Sequence, residues 1–148
     1  MKIIKAGINQ IDELTELFDL YRQFYEKNSD MVSAKKFLKQ RIKQNESVIF
    51  LCLDEEGTAI GFTQLYPYFT SLGMRRAWIL NDMFVKKENR MLGAGEKLIE
   101  SVRKFAGKTG SGFVMLETQK TNKNACRLYE KMGFKQDRDR SYYYLEIL

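Results

Sequence analysis

The sequence predicts an α/β fold: a single domain over residues 1–148, with a mixed, mostly antiparallel central sheet of six to seven strands and helices on both faces. Three observations predict it. Strand-like and helix-like stretches follow one another in the order strand, two helices, a meander of strands, then strand, helix, strand, helix, strand. Phe113 to Glu117 is a short, almost wholly apolar run, as expected of a central strand covered on both faces. The stretch 96–108 before it carries Leu98, Ile99, Val102, Phe105 and Ala106 on one face at helical period.

Residues 2–6 read as a short edge strand. Asp12 is placed to cap a first helix with the apolar face Leu14, Leu17, Phe18, Tyr21, Phe24 and Tyr25. Asn28-Ser29-Asp30 breaks it, and Ser33 is placed to cap a second helix carrying Phe37, Leu38, Arg41 and Ile42. Val48 to Leu53 and Ala59 to Tyr66 read as hairpin partners across the turn Asp54-Glu55-Glu56-Gly57. Pro67, the only proline, is expected to stop or bend the second of them. Arg76 to Val85 is a long strand, and Lys86 to Gly95 a polar, glycine-containing connection. After the helix 96–108 and the strand 113–117, Thr121 or Asn122 caps a helix bearing Ala125, Leu128, Tyr129 and Met132. Gly133 ends that helix, and Tyr142 to Ile147 closes the chain as a strand.

Composition narrows the chemistry. With 148 residues, a full core is within reach without metal or disulfides. Histidine is absent, which removes Ser-His-Asp and Cys-His hydrolysis and most zinc sites. Acid–base work falls to Asp, Glu, Tyr, Lys or Cys. Cys52 and Cys126 match no metal spacing and read as packing thiols. No apolar run nears the roughly 20 residues of a membrane span, and the N-terminal apolar stretch is too short for a signal peptide. These features point to the cytoplasm, with no membrane partner. The net charge of +6 admits nucleic-acid binding, a solvated mixed-charge surface, or a site for a multiply phosphorylated ligand. No recognised nucleic-acid motif is present, so no nucleic-acid partner is expected.

Arg90-Met91-Leu92-Gly93-Ala94-Gly95 lies between a strand and a helix. Glycines there permit a tight turn and leave amides uncovered, and the helix start adds unpaired N–H donors and a positive dipole end. Together they make a cradle for a pyrophosphate. An ordinary connecting loop is the alternative. A dinucleotide fingerprint fits poorly, because Leu98 stands where its third small residue belongs. Gly107-Lys108-Thr109 imitates the end of a phosphate loop, but Val102 occupies the place of its first glycine.

The segment 90–95 matches the pattern Gln/Arg-x-x-Gly-x-Gly/Ala of the GCN5-related N-acetyltransferase family, which the chain resembles. The resemblance extends to Trp78-Ile79-Leu80-Asn81-Asp82-Met83-Phe84-Val85 before it, and to the Asn, Ala, Leu-Tyr and Gly-Phe of Asn122 to Phe134 after it. It implies the acyl-CoA N-acyltransferase fold, with the sheet splayed between strands 4 and 5. It implies acetyl-CoA as cosubstrate and no metal. Met83, Phe84 and Val85 would pair with the pantetheine arm. The amides of Arg90, Met91, Leu92, Gly93, Ala94 and Gly95, with Glu96 at the helix start, would hold the pyrophosphate. Asn122, and less directly Asn124, match the position that touches pantetheine.

The same resemblance implies the chemistry. Asp82 stands where a carboxylate takes the proton of the amine, with Glu117 as a second candidate and a structural acid as the alternative role. A backbone N–H freed by a bulge near Met83 would stabilise charge on the carbonyl oxygen. Tyr129 would protonate the departing thiolate, or else serve only as a helix core residue. Tyr21, Phe24, Tyr25, Tyr66, Tyr68 and Phe69 would wall the acceptor side and Glu26 and Asp30 would add negative charge for a basic acceptor, with core packing and solvated charges as the alternative for each. The strand-4 pattern is similar to that of diamine acetyltransferases, which favours a small-molecule amine, with a possible homodimer. Acetylation of a protein N-terminus or lysine, and a catalytically silent acyl-CoA sensor, are the alternatives.

Overall fold

A computed structural model describes residues 1–147. The chain falls into two compact units, Met1–Glu117 and Thr118 onward. The first contains β1 (Lys2–Lys5), α1 (Ile11–Phe24), α2 (Met31–Lys43), β2 (Val48–Leu53), β3 (Ala59–Thr70), β4 (Arg75–Val85), α3 (Ala94–Lys108) and β5 (Val114–Met115). Among the described residues the sheet has five strands in the order β1-β2-β3-β4-β5. The first three pairings are antiparallel and the β4–β5 pairing is parallel.

Five strands replace the expected six to seven. Tyr142–Ile147, expected as the closing strand, forms no ladder among the described residues. Its sequence alternates suitably, but a strand exists only where a neighbour takes its backbone bonds. β5 is also shorter than expected, and it is not covered on both faces, since Met115 is 42% exposed. Among the described residues β4 is its single ladder neighbour, which puts it at the edge of this five-stranded sheet.

Helices cover both faces of the sheet. Leu14, Leu17 and Phe18 of α1 and Ala34 and Leu38 of α2 pack with Ile49, Leu51, Phe62 and Phe84. On the other face, the Phe105 ring of α3 meets Phe50 at 5.7 Å and Trp78 at 5.1 Å. Trp78 Nε1 donates to Thr109 Oγ1 at 2.9 Å, giving the buried indole its hydrogen-bond partner.

Several helix ends differ from expectation. α1 begins at Ile11, after a single 3-10 turn over Ile8–Gln10, so Asp12 is a first-turn residue and not the cap. There it still favours the helix dipole, and it pairs with Lys35 of α2 at 2.8 Å. Asp30, not Ser33, caps α2: its carboxylate accepts from Ser33 N at 3.0 Å. The buried Asp19 pins the turn between the two helices by accepting from Gln23 Nε2, Ser29 Oγ and Asp30 N at 2.9, 2.6 and 2.8 Å.

Pro67 neither stops nor ends β3, which continues to Thr70. The reason lies in the pairing. Pro67 stands opposite Trp78, whose N–H points away to Phe113 O, so this pair exchanges no backbone bond and the proline nitrogen faces away from β4. On that side the β2 ladder has already ended at Leu65, so no bond is lost.

The second unit contains α4 (Lys123–Lys131). Asn122 caps it, its side chain accepting from Ala125 N at 3.3 Å. At the other end Gly133 takes φ +92°. Phe134 N donates to Tyr129 O at 2.9 Å and Gly133 N to Glu130 O at 3.0 Å. The Tyr129 and Phe134 rings meet edge to face at 5.7 Å. This is a left-handed helix stop with its accompanying hydrophobic contact, and it explains why Gly-Phe follows Tyr129 at this spacing.

Candidate active site

One extra residue turns Asp82 towards α1. β3 and β4 pair Gln64 with Asp82 but Leu65 with Leu80, which leaves Asn81 as a bulge. Side chains alternate between sheet faces, so without a bulge Asp82 would share the face of Trp78, against α3. With Asn81 inserted, the parity reverses. Asp82 and Phe84 then lie on the α1 side, where Phe84 joins the core under Phe18 and Leu14. The bulge therefore sits at Asn81, two residues before the place expected near Met83.

Asp82 is buried, 5% exposed, in a small polar cluster within that apolar layer. Gln64 Nε2 donates to its Oδ2 at 2.6 Å, and Asn81 Nδ2 to its Oδ1 at 3.1 Å. The Tyr21 hydroxyl of α1 also bonds to the carboxyl. Burial pushes the Asp82 pKa above the ordinary carboxyl value, against the opposing pull of the Gln64, Tyr21 and Asn81 hydrogen bonds. Tyr66 is pushed up to about 12, by burial first and then by the Asp82 charge. Gln64 Oε1 is buried and has no hydrogen-bond partner among the described residues. A carboxyl so placed is poised to take up a proton, and a vacant carbonyl acceptor lies on the amide beside it.

Among the described residues, the outward edge of β4 beyond Ile79 joins no ladder. The β4–β5 ladder covers only Trp78↔Val114 and Ile79↔Met115. Lys86 N bonds to Ile60 O on β3, so alternation turns Phe84 towards β3 and Met83 and Val85 towards the opposite edge. Of the three residues expected to meet pantetheine, Met83 and Val85 thus present backbone groups there. Phe84 contributes its ring to the core. Val85 O accepts from Arg90 Nε at 2.9 Å. The Arg90 guanidinium also lies over the rings of Phe24 and Phe84, at 5.4 and 5.6 Å.

The connection to α3 has the form that an anion site needs. Gly93 precedes α3 with φ +87°, and a Cβ built there would meet nothing within 4 Å. The requirement for glycine is therefore conformational and not steric. Met91 also takes positive φ, +64°, and is 96% exposed, with Leu92 exposed beside it. Lys97 N, donating to Gly93 O at 3.1 Å, makes the first bond of α3. Ala94 and Gly95 lie ahead of that bond, so helix geometry gives their amides no intrahelical acceptor, and Gly93 has no side chain to cap them. Glu96 sits in the same first turn. These donors, aligned with the dipole, fit a diphosphate.

The remaining expected residues are placed as follows. Asn122, Asn124 and Tyr129 belong to the second unit. Asn122 is the α4 cap, Asn124 is exposed with Oδ1 taking a long 3.4 Å bond from Arg127, and Tyr129 is half-buried. Glu117, the second candidate base, is exposed and lies past the end of β5. The aromatic residues separate into two groups. Tyr25 meets Tyr21 and Phe24 edge to face at the end of α1, at 5.2 and 5.1 Å. Tyr68 instead meets Phe113 at 6.3 Å, and Phe69 lies under Arg76. Asp30 is committed to capping α2. Gln64 and Asn81 escaped sequence reasoning, because a glutamine inside an apolar strand carries no signal until its cross-strand partner is known. Among the described residues no cluster of three or more His, Cys, Asp or Glu could hold a metal. No helix among them is long and apolar enough to cross a membrane.

Residues 14–134 match the acetyltransferase (GNAT) family, and the chain belongs to it. It is 40% identical over 147 residues to the uncharacterized N-acetyltransferase YhfO of Bacillus subtilis, covering 99% of this chain and 98% of the relative. A solved structure of a probable acetyltransferase is 39% identical, with a TM-score of 0.95 over 100% of this chain and 99% of that one. The thialysine N-epsilon-acetyltransferase of Sus scrofa is 30% identical over 118 residues, covering 74% of this chain and 69% of the relative. The protein is an acyltransferase of this family, and its sheet with helices on both faces is the family's α/β fold.

Proposed function

We propose that residues 1–148 act as one catalytic domain that moves the acetyl group of acetyl-CoA to a primary amine of a small molecule by direct attack. The observation that carries this reading is the placement of Asp82. It is a buried carboxyl of raised proton affinity on β4, directly before the outward edge at Met83 and Val85, which the β5 ladder does not reach and where Val85 O is taken by Arg90 Nε.

In this reading Met83 and Val85 hold the pantetheine arm as a neighbouring strand would, and the amides of residues 90–96 hold the diphosphate. Asn122 and Asn124 add polar contacts to pantetheine. Acetyl-CoA supplies an activated thioester, and the protein orients it and manages protons. The amine nitrogen bonds to the acetyl carbon, the carbon–sulfur bond breaks, Asp82 receives the amine proton directly or through water, and Tyr129 donates to the thiolate. Most of an alkylamine is protonated at neutral pH, its pKa being about 10.4, so a nearby base is required. The Tyr21, Phe24 and Tyr25 rings offer faces to a cationic acceptor. The similarity to a thialysine acetyltransferase supports a small amine with a basic side chain. Cytoplasmic location and a homodimeric state complete the proposal.

A free-thiol release assay over polyamines, basic amino acids and aminoglycosides tests it. Turnover on at least one small amine is the expected result. Acetyl-CoA binding without turnover on any amine, or turnover confined to protein lysines and N-termini, overturns it.

A further inference from the structure

Three buried side-chain atoms lack a hydrogen-bond partner among the described residues: Arg41 Nε, Ser47 Oγ and Gln64 Oε1. They are not scattered. Ile49 and Leu51 of β2 and Phe62 of β3 face α1 and α2, so strand alternation turns Ser47, Gln64 and Tyr66 towards the same helices. The rung Val48↔Leu65 sets Ser47 opposite Tyr66. Arg41 comes from the last turn of α2, where its guanidinium lies over the Phe37 ring at 4.6 Å and is ion-paired to Glu46. Burial first, and then the Asp82 charge, raise the Tyr66 pKa, while Arg41 lowers it and Glu46 raises it, so all three charges surround one phenol. These residues all belong to the first unit.

Buried polar groups without a partner are rare, and each calls for a reason, of which a bound molecule is one. Here their chemistry divides in two. Arg41, Ser47 and Tyr66 offer donors: a guanidinium with five N–H groups, which one carboxylate does not exhaust, and two hydroxyls. The Phe37 ring and Glu46 hold the guanidinium in one orientation, which suits a second, planar carboxylate, whereas the Glu46 charge beside it disfavours a dianion such as phosphate. Gln64 offers an acceptor, the carbonyl of the amide whose Nε2 is given to Asp82 at 2.6 Å. A carbonyl oxygen next to a carboxyl suits an ammonium group or an amine. Same-face neighbours on a strand, such as Gln64 and Tyr66, are about 7 Å apart, which roughly four methylene groups span.

We propose that the acceptor is an amino acid acetylated on the amine far from its carboxylate, with the carboxylate held by Arg41, Ser47 and Tyr66 and the amine lying at Gln64 Oε1 and Asp82. This rests on the acetyl-transfer reading and names its substrate class. The transfer is the one described above: the nitrogen–carbonyl bond forms, the carbon–sulfur bond breaks, and coenzyme A leaves as the thiol. A plain alkylamine leaves Arg41 Nε and Ser47 Oγ unmet. A diamine of the same length brings its second ammonium against the guanidinium. An amino acid meets both ends with the matching charge.

Thiol release by the full chain with acetyl-CoA and three acceptors of equal length tests it: 5-aminopentanoate, pentylamine and 1,5-diaminopentane, with the amino acids one carbon shorter and longer as further probes. The kcat/KM of the best amino acid is expected to exceed those of the alkylamine and the diamine by about 10-fold or more, as a hydrogen-bonded charge pair requires. In Arg41→Met that preference is expected to collapse to about one, and in Ser47→Ala to fall several-fold, both through the KM of the amino acid. Each preference is a ratio taken on one preparation, so it does not depend on how much of a variant is folded. If Arg41→Met yields no folded protein, Ser47→Ala and the wild-type series decide. Turnover on amines without preference for the carboxylate, or a preference that survives these substitutions, overturns this inference alone. No thiol release with any amine overturns the acetyl-transfer reading, and this inference with it.

Discussion

Gln64 Nε2 lies 2.6 Å from Asp82 Oδ2, across the one place where β3 and β4 lose register. This bond is the main side-chain force holding down the proton affinity of Asp82 against burial. Gln64→Met keeps the volume and removes the donor. The Asp82 pKa should then rise further, and the ascending limb of kcat/KM against pH should move to higher pH. Asp82→Asn should lower kcat/KM by about 10²-fold or more and abolish the limb. An unchanged profile in Gln64→Met would detach the glutamine from the chemistry.

The same carboxyl has a signature in stability. Its folded pKa is raised, so the folded state holds the proton more tightly than the unfolded state does. Stability from this group is fully present below the ordinary carboxyl pKa of about 3.9, and it is lost as pH rises towards the folded value. Asp82→Asn should therefore gain in melting temperature relative to the wild type across that window, and keep a constant offset above it. Thermal melts at a series of pH values read this directly. A difference between the two proteins that does not vary with pH would show that Asp82 titrates normally.

Asp19 behaves in the opposite sense. Burial raises its pKa, but the bonds from Ser29, Asp30 and Gln23 outweigh that and hold the net value below the ordinary range. Its contribution is present above a pH of about 3.9 and is lost as pH falls through the lower folded value. Asp19→Ala leaves three donors without their acceptor and should cost about 2–3 kcal/mol at neutral pH. The deficit should shrink in acid, which denaturant titration at pH 7 and pH 3 will show. An equal deficit at both would mean that packing, not charge, is lost.

Gly93 was legible from the sequence, and so was the helix that follows it, because positive φ and a helix start both leave local marks. The helices with strong apolar stripes were legible for the same reason, and the α4 cap was narrowed to Thr121 or Asn122, of which Asn122 serves. Asp82 could be named from the resemblance, but its orientation could not. That orientation depends on the bulge at Asn81, which exists only in the register between two strands whose partner residues lie 18 apart in sequence. The continuation of β3 through Pro67 depends likewise on β2 having already ended. The final segment alternates as a strand does, yet it joins no ladder among the described residues, because alternation alone supplies no neighbour.

Gly93→Ala isolates the conformational requirement at the start of α3. There is room for the methyl group, so the penalty comes only from holding a non-glycine residue at φ +87°. That costs about 1 kcal/mol and should lower the melting temperature by about 2–4 °C. If the neighbouring amides hold the diphosphate, the KM for acetyl-CoA should rise several-fold with little change in kcat. The stabilisation by added acetyl-CoA in a thermal shift should fall in parallel. A normal KM together with the lowered melting temperature would leave the loop as a structural turn alone.

Tyr129→Phe separates the phenol from the ring. The aromatic contact with Phe134 at 5.7 Å and the Gly133 helix stop both survive the substitution, so α4 should keep its end intact. The loss is confined to one hydroxyl. If that hydroxyl donates to the departing thiolate, kcat should fall by about 10²-fold while acetyl-CoA affinity stays within a factor of about two. A poorer leaving group should widen the gap between variant and wild type, because protonation then matters more, whereas an activated acetyl thioester of lower thiol pKa should narrow it. Comparing acetyl-CoA with such an analogue converts a simple loss of activity into a test of where the proton goes. An equal loss with both thioesters would mean that the hydroxyl acts other than by protonating the thiolate, and would leave that protonation to solvent.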